Sequence, residues 1–264
     1  MMDQWSAKYL KDWQDDFAGE PDLVEDLHIQ RNLLEALEGL YPSDSSSQQR
    51  AASSIATFVK SKSDPEESLI LFQAILLDAA TTSPLQPPDL AQVVVSFTSQ
   101  LPGQASKKFY YEIACSVREK FNGPEKHNNN EKEKTKSIQA WIRLNAFVAY
   151  LTQLHACSLE SYGLWTFYRV FDEENERLRR EELDYHVPAA EAWVQIMGEE
   201  LYQWTKLDID RENKKDNQAL VDRVRWDRWK HGFADCARLE GLRTETKLAA
   251  ESAWRCMNNL ESNM

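Results

Sequence analysis

The chain has 264 residues, of which 42% are apolar and only 8 are glycine, and it carries a formal net charge of -12 at pH 7. That length and apolar content exclude a disordered chain and allow a sizeable core. So few glycines argue against a protein of many tight turns, and the negative field repels phosphate backbones, which excludes nucleic acid as a partner.

Helical periodicity runs along the chain. Trp5, Tyr9, Trp13 and Phe17 mark a first amphipathic helix, whose charged start has no apolar centre and does not read as a secretory signal. Pro21 opens a second helix that Pro42 stops. Two more helices follow, over AASSIATFVK and after the cap-like Ser63-Asp64-Pro65. In AQVVVSFTSQL the valine run is strand-like, but a lone strand has no partner, so helix is expected. Phe109, Ile113, Val117 and Phe121 form the stripe of the next helix. NGPEKHNNNEKEKTK, residues 122–136, reads as a flexible polar loop inside a single domain spanning 1–264; a division into helical halves 1–121 and 137–264 is the alternative. Long helices are then expected over 137–156, 160–184, 188–205, 219–240 and 244–262, with a loop at LDIDRENKKDNQ. The expected fold is all-α: about ten helices in a bundle or array, with no significant sheet. No apolar run approaches the ~20 residues of a membrane span. The cysteines at 115, 157, 236 and 256 are scattered and read as reduced thiols, so a cytoplasmic protein is expected.

No G-x-G-x-x-G, Walker loop, H-E-x-x-H or G-x-S-x-G occurs, so no cofactor and no metal are expected. The acidic runs Asp15-Asp16 with Glu20 and Asp172-Glu173-Glu174 superficially fit the metal motif of a terpenoid synthase, but no second motif follows them. The candidates come from helical projection at about 100° per residue. In VRWDRWKHGF, Trp226, Trp229, Phe233 and Cys236 share a face that reads as core. Asp227 and His231 sit on the other face as a surface pair or, in a cleft, an acid–base dyad. In the helix of Trp141, Leu144, Phe147 and Val148, His155 projects into the apolar stripe. In the helix of Trp193, Ile196, Met197, Leu201 and Trp204, Glu200 does the same. A carboxylate in an apolar stripe is paired, protonated or lining a cavity; Arg143, Arg169 and Arg228 are the partners to expect for a structural role.

PAAEAWVQIMGEELY, RVRWDRWKHGF and ETKLAAESAWRCMNNLE together resemble an uncharacterised domain-of-unknown-function family of filamentous fungi. The matching positions are Ala189, Ala190 and Trp193; Arg225, Trp226, Trp229 and Lys230; and Met257 and Glu261, with Ala140, Trp141 and Phe147 upstream. The resemblance covers mainly 137–262. It implies a single helical domain of fungal intracellular origin and carries no catalytic residues.

Two functional expectations follow. The first is a small-molecule-binding helical protein, extending to a cofactor-independent enzyme of fungal specialised metabolism. Glu200 and His155 would be its catalytic residues, and Trp193, Met197, Trp204 and Trp141 would bind a small organic molecule. The second is a non-enzymatic scaffold of acidic helical type that recognises a protein partner through an exposed groove. An enclosed cavity holding Glu200 or His155 favours the first, and a filled core with an open groove favours the second.

Overall fold

The computed structural model describes residues 2–41, 44–62, 64–126, 130–172, 180–206 and 221–263. Among the described residues there are eleven α-helices, one π-helical turn and no strand, so the protein is all-α. The loop expected at 207–218 and the charged run at 173–179 lie outside the described residues. The chain forms two compact units: Met1–Asn122 with Leu154–Cys157, and Gly123–Gln153 with Ser158–Met264.

The first unit holds α1 (Met2–Asp16), α2 (Leu23–Glu38), α3 (Ser45–Ser61), α4 (Pro65–Thr82), α5 (Pro87–Thr98) and α6 (Gly103–Lys120). Asp44 and Ser47 cap α3 reciprocally, and Pro65 and Pro87 open α4 and α5, where a missing N–H costs nothing. The valine run is helical, with Val93 and Val94 fully buried. Phe72, Phe97 and Phe109 bring rings from three helices within 5.9 Å of one another. On α1 the expected aromatic stripe is a ladder of rings, and the Trp5 indole N–H donates to Asp78 at 3.0 Å and to Thr82 at 2.9 Å.

The second unit holds α7 (Glu131–Gln153), α8 (Glu160–Phe167), a π-helical turn (Tyr168–Asp172), α9 (Arg180–Trp204), α10 (Arg223–Arg238) and α11 (Thr244–Asn263). The helix expected over 160–184 is not continuous, since α8 ends at Phe167 and the π-helical turn follows it to Asp172. Three further boundaries differ from expectation. The polar stretch is not a loop throughout: its last residues open α7, where Glu133 carries acidic charge in the first turn and so suits the helix dipole. Lys126 pairs with Glu182, and Lys134 reaches Asp184 at 3.6 Å. Second, α7 stops at Gln153, three residues early. Third, α9 does not begin at Pro188 but runs through it from Arg180. An interior proline costs ~3 kcal/mol in a free helix. Here Asp184, Tyr185, His186 and Val187, the turn before it, are all buried, and that packing holds the helix across the break.

Candidate functional site

Four tryptophans of the second unit, Trp141, Trp193, Trp226 and Trp229, lie in its interior, whereas Trp165 and Trp254 are exposed. Trp193 is 1% exposed, and its indole N–H donates to the Asn145 side-chain oxygen at 2.9 Å. That oxygen also accepts from Thr166 at 3.1 Å, while the Asn145 amide donates to the Trp141 carbonyl at 2.9 Å. The Trp193 ring lies flat on Gly163, where a Cβ would stand 2.7 Å from it. Trp229 stacks on Phe167 at 4.4 Å and donates to Asp172 at 3.1 Å; Asp172 also accepts from Arg228 at 3.0 Å. Trp226 donates to Glu261 at 2.8 Å, and Lys230 grips both oxygens of that carboxylate at 2.7 Å. Burial pushes the Glu261 carboxyl up, but the bonds from Lys230 and Trp226 and the charges of Lys230 and Arg223 outweigh it and leave it lowered. Asp184, on α9, accepts from the Arg243 backbone N–H at 3.0 Å and the Thr246 hydroxyl at 2.7 Å, so a buried carboxylate seats the start of α11.

The residues singled out from the sequence divide accordingly. Trp141, Trp193 and Met197 are all buried in the second unit. Trp204 is half-buried in the last turn of α9. Glu200 is also half-buried, not central to the core: its helical phase is right, but the stripe surfaces towards the C-terminal end of α9. Among the described residues no hydrogen bond or ion pair ends on Glu200, and Arg228, one of its expected partners, serves Asp172. His155 corrects the projection outright. It lies in the turn after α7, exposed and with φ at +54°, so neither a buried catalytic role nor a satisfied core role fits it. Projection fails there because the helix has already ended. Asp227 and His231 do not form a dyad: the His231 ring meets the Asp227 backbone carbonyl at 2.6 Å, and the Asp227 carboxylate goes to Arg223 at 3.3 Å and Lys230 at 3.7 Å.

The core histidine is His186, which the sequence reading missed. It is 1% exposed, its ring meets Trp141 edge-on at 5.8 Å, and neither ring nitrogen has a hydrogen-bond partner among the described residues. Burial, then the charge of Arg169, pushes its pKa down to about 3. Its spacing of four from Ala190, seven from Trp193 and eleven from Met197 is the signal that would have found it, once the helix is carried back through Pro188.

Among the described residues, an open groove of about 470 Å³ lies between α9 and α11. Its contacts advance together along both helices, Glu191 with Ser252, Val194 with Cys256 and Gly198 with Leu260, so the two run side by side in one direction. The Ser252 hydroxyl donates to Glu191 at 3.0 Å and accepts from the Gln195 amide at 2.9 Å. Burial raises the Glu191 carboxyl, against the pull of those two polar neighbours. Arg255 pairs with Glu251 along α11, and Leu248 stands 60% exposed on the groove wall.

The class defined by this architecture is an all-α protein with an indole-anchored core and an open inter-helical groove. A family model described as "Protein of unknown function (DUF3632)" matches residues 74–233, more than half of the chain, and the chain belongs to that family. The matched region begins inside α4 and ends in α10. It therefore reaches further into the N-terminal half than the resemblance at 137–262 and leaves out the closing helix with Met257 and Glu261. No curated protein and no solved structure matches the chain.

Proposed function

We propose that this protein is a non-enzymatic interaction module and that the α9–α11 groove is the surface that recognises its partner. The observation that carries this reading is the fate of the tryptophans. Trp193, Trp226 and Trp229 are buried, with each indole N–H bonded to a side chain of the fold, so these rings are committed to the core. Among the described residues there is an open groove of mixed lining, with Gln195, Ser252 and Asn259 beside Leu248 and Leu260. Polar groups that converge on a concavity beside apolar side chains suit recognition of a polypeptide. The residues first considered for catalysis are not brought together as a pair: His155 is exposed on a turn after α7, and no hydrogen bond or ion pair among the described residues ends on Glu200. A net charge of -12 argues against nucleic acid, and no described helix is long and apolar enough to cross a membrane. Scattered cysteines support a cytoplasmic setting, and the motif resemblance supports a fungal one.

Native mass spectrometry of the protein purified from its own cells tests this reading, with Ser252→Arg as the groove-blocking variant. A retained polypeptide that Ser252→Arg releases, with folding intact, is the expected result. A retained small organic molecule, released by Glu200→Gln and indifferent to Ser252→Arg, would overturn the reading in favour of the small-molecule alternative.

A further inference from the structure

The helix α6 ends at Lys120, and the chain leaves it through Phe121, Asn122 and Gly123. The Phe121 N–H still donates to the Val117 carbonyl at 2.9 Å. Asn122 is exposed and outside the helix, and its side-chain amide turns back to donate to the Glu119 carbonyl at 2.9 Å. That bond satisfies one of the carbonyls a helix leaves open at its end. Gly123 has φ at +118°, in the left-handed region that an L side chain rarely adopts, so the fold itself calls for glycine after Asn122. A Cβ at Gly123 would meet nothing within 4 Å, so the backbone there is open to approach. Among the described residues the Gly123 N–H donates to no acceptor. Nowhere else in the sequence does glycine follow asparagine.

We propose that Asn122–Gly123 is a site of spontaneous deamidation, which turns the side chain that caps α6 from a hydrogen-bond donor into a carboxylate. The attacking nitrogen and the side-chain carbonyl are neighbours in the chain, so the step is intramolecular, and glycine puts no side chain in its way. The Gly123 nitrogen gives up its proton and attacks Asn122 Cγ. A C–N bond forms, the Cγ–Nδ2 bond breaks, and Nδ2 leaves with a proton as ammonia. Water, the co-reactant, then opens the cyclic imide. Addition at Cγ gives aspartate; addition at the Asn122 backbone carbonyl gives isoaspartate, whose main chain runs through Cβ and Cγ. Nothing is oxidised or reduced. The attack requires the bond to Glu119 to open, and because that bond is exposed, water replaces it at little cost. Both products are charged. A carboxylate cannot donate to the Glu119 carbonyl, and negative charge at a helix C-terminus opposes the dipole. Arg118 and Lys120 in the last turn offset the charge but do not replace the donor. The last turn of α6 should therefore loosen where the chain passes from the first unit to the second.

The test is to age the full chain in mildly alkaline buffer made with oxygen-18 water. Peptide mass spectrometry follows, with fragmentation that separates aspartate from isoaspartate. The peptide holding Asn122 should change before any other asparagine peptide, take up labelled oxygen and contain both products. Its rate should rise with pH, because the attacking nitrogen must lose its proton. Asn122→Gln should suppress the change, since the longer side chain would have to close a larger ring. Asn122→Asp carries the product's charge from the start. Hydrogen exchange of its Phe121 amide, followed by NMR, should be several-fold faster than in the parent chain, the scale of losing one exposed hydrogen bond. A bond that stays intact in the folded chain but reacts in the urea-unfolded chain would overturn the proposal, because the fold would then be protecting it. Earlier reaction at another asparagine, or aspartate formed without isoaspartate, would overturn it as well. Equal Phe121 exchange in Asn122→Asp and the parent would overturn the link to α6.

Discussion

The two units fill their interiors differently. In the first, phenylalanines and aliphatic chains such as Phe72, Phe97, Leu33 and Ile75 form the centre, and the Gln30 amide, fully buried, meets no hydrogen-bond partner among the described residues. In the second, the largest buried rings include indoles, and those of Trp193, Trp229 and Trp226 are tied by their N–H to Asn145, Asp172 and Glu261. Dispersion and burial alone tolerate many arrangements of similar volume, whereas a bonded indole tolerates few. The second unit therefore has the more narrowly specified core, and it is also the unit that presents the polar groove.

The largest expected effects do not separate the two units. Trp226→Ala or Trp229→Ala should cost ~3–5 kcal/mol, and so should Phe72→Ala, because each deletes a core ring. Chemical denaturation measures this; a tryptophan variant with an unmoved midpoint would place that ring outside the core.

Polar deletions sharpen the contrast. Asn145→Leu strands the Trp193 N–H in an apolar interior and should cost ~1–3 kcal/mol. Gln30→Leu removes an amide that has no partner among the described residues and should be neutral or stabilising. Similar losses from both would erase the distinction between the two cores. An intermediate effect comes from His186. Above its ordinary value of 6.5 the ring is neutral folded and unfolded, so it confers no pH dependence there. As pH falls below 6.5 the unfolded chain takes up a proton that the folded chain refuses until about 3. Stability should therefore decline through that window, and His186→Phe should flatten the decline. Parallel pH curves for the two proteins would show that the buried imidazole is not responsible.

Much of this architecture was legible in the sequence, and where it was not the reasons are local. The stripes of Trp226, Trp229, Phe233 and Cys236, and of Trp193 and Met197, were readable because each sits well inside a helix, where a fixed angle per residue holds. His155 was misplaced because the projection was carried past the end of α7, and His186 was missed because Pro188 was taken as a start. The groove was not legible at all. Glu191, Gln195 and Ser252 lie 61 and 57 residues apart in the chain, and no local pattern encodes the approach of α11 to α9. The hydrogen bonds to Asn145, Asp172 and Glu261 are equally long-range, although the resemblance had placed Trp226, Lys230 and Glu261 in one motif set.

The smallest expected effect concerns Glu200. Its phase on α9 puts it between Ile196, Met197 and Trp204, and a position deep in that stripe would have demanded a buried cation. The side chain is instead half-buried, and no cation or hydrogen-bond donor meets it among the described residues. A carboxylate so placed keeps part of its hydration, so changing it to an amide strands no partner and opens no cavity. Glu200→Gln should therefore shift stability by no more than ~0.5 kcal/mol, the range of a substitution away from buried networks. It should also leave retention of a polypeptide partner unchanged, because Glu200 is not among the residues lining the α9–α11 groove. A destabilisation of ~2 kcal/mol or more in the same denaturation experiment would mean that a charged group is left unmatched by the change, and Glu200 would then belong with Asp172, Asp184 and Glu261 among the acids that hold this unit together.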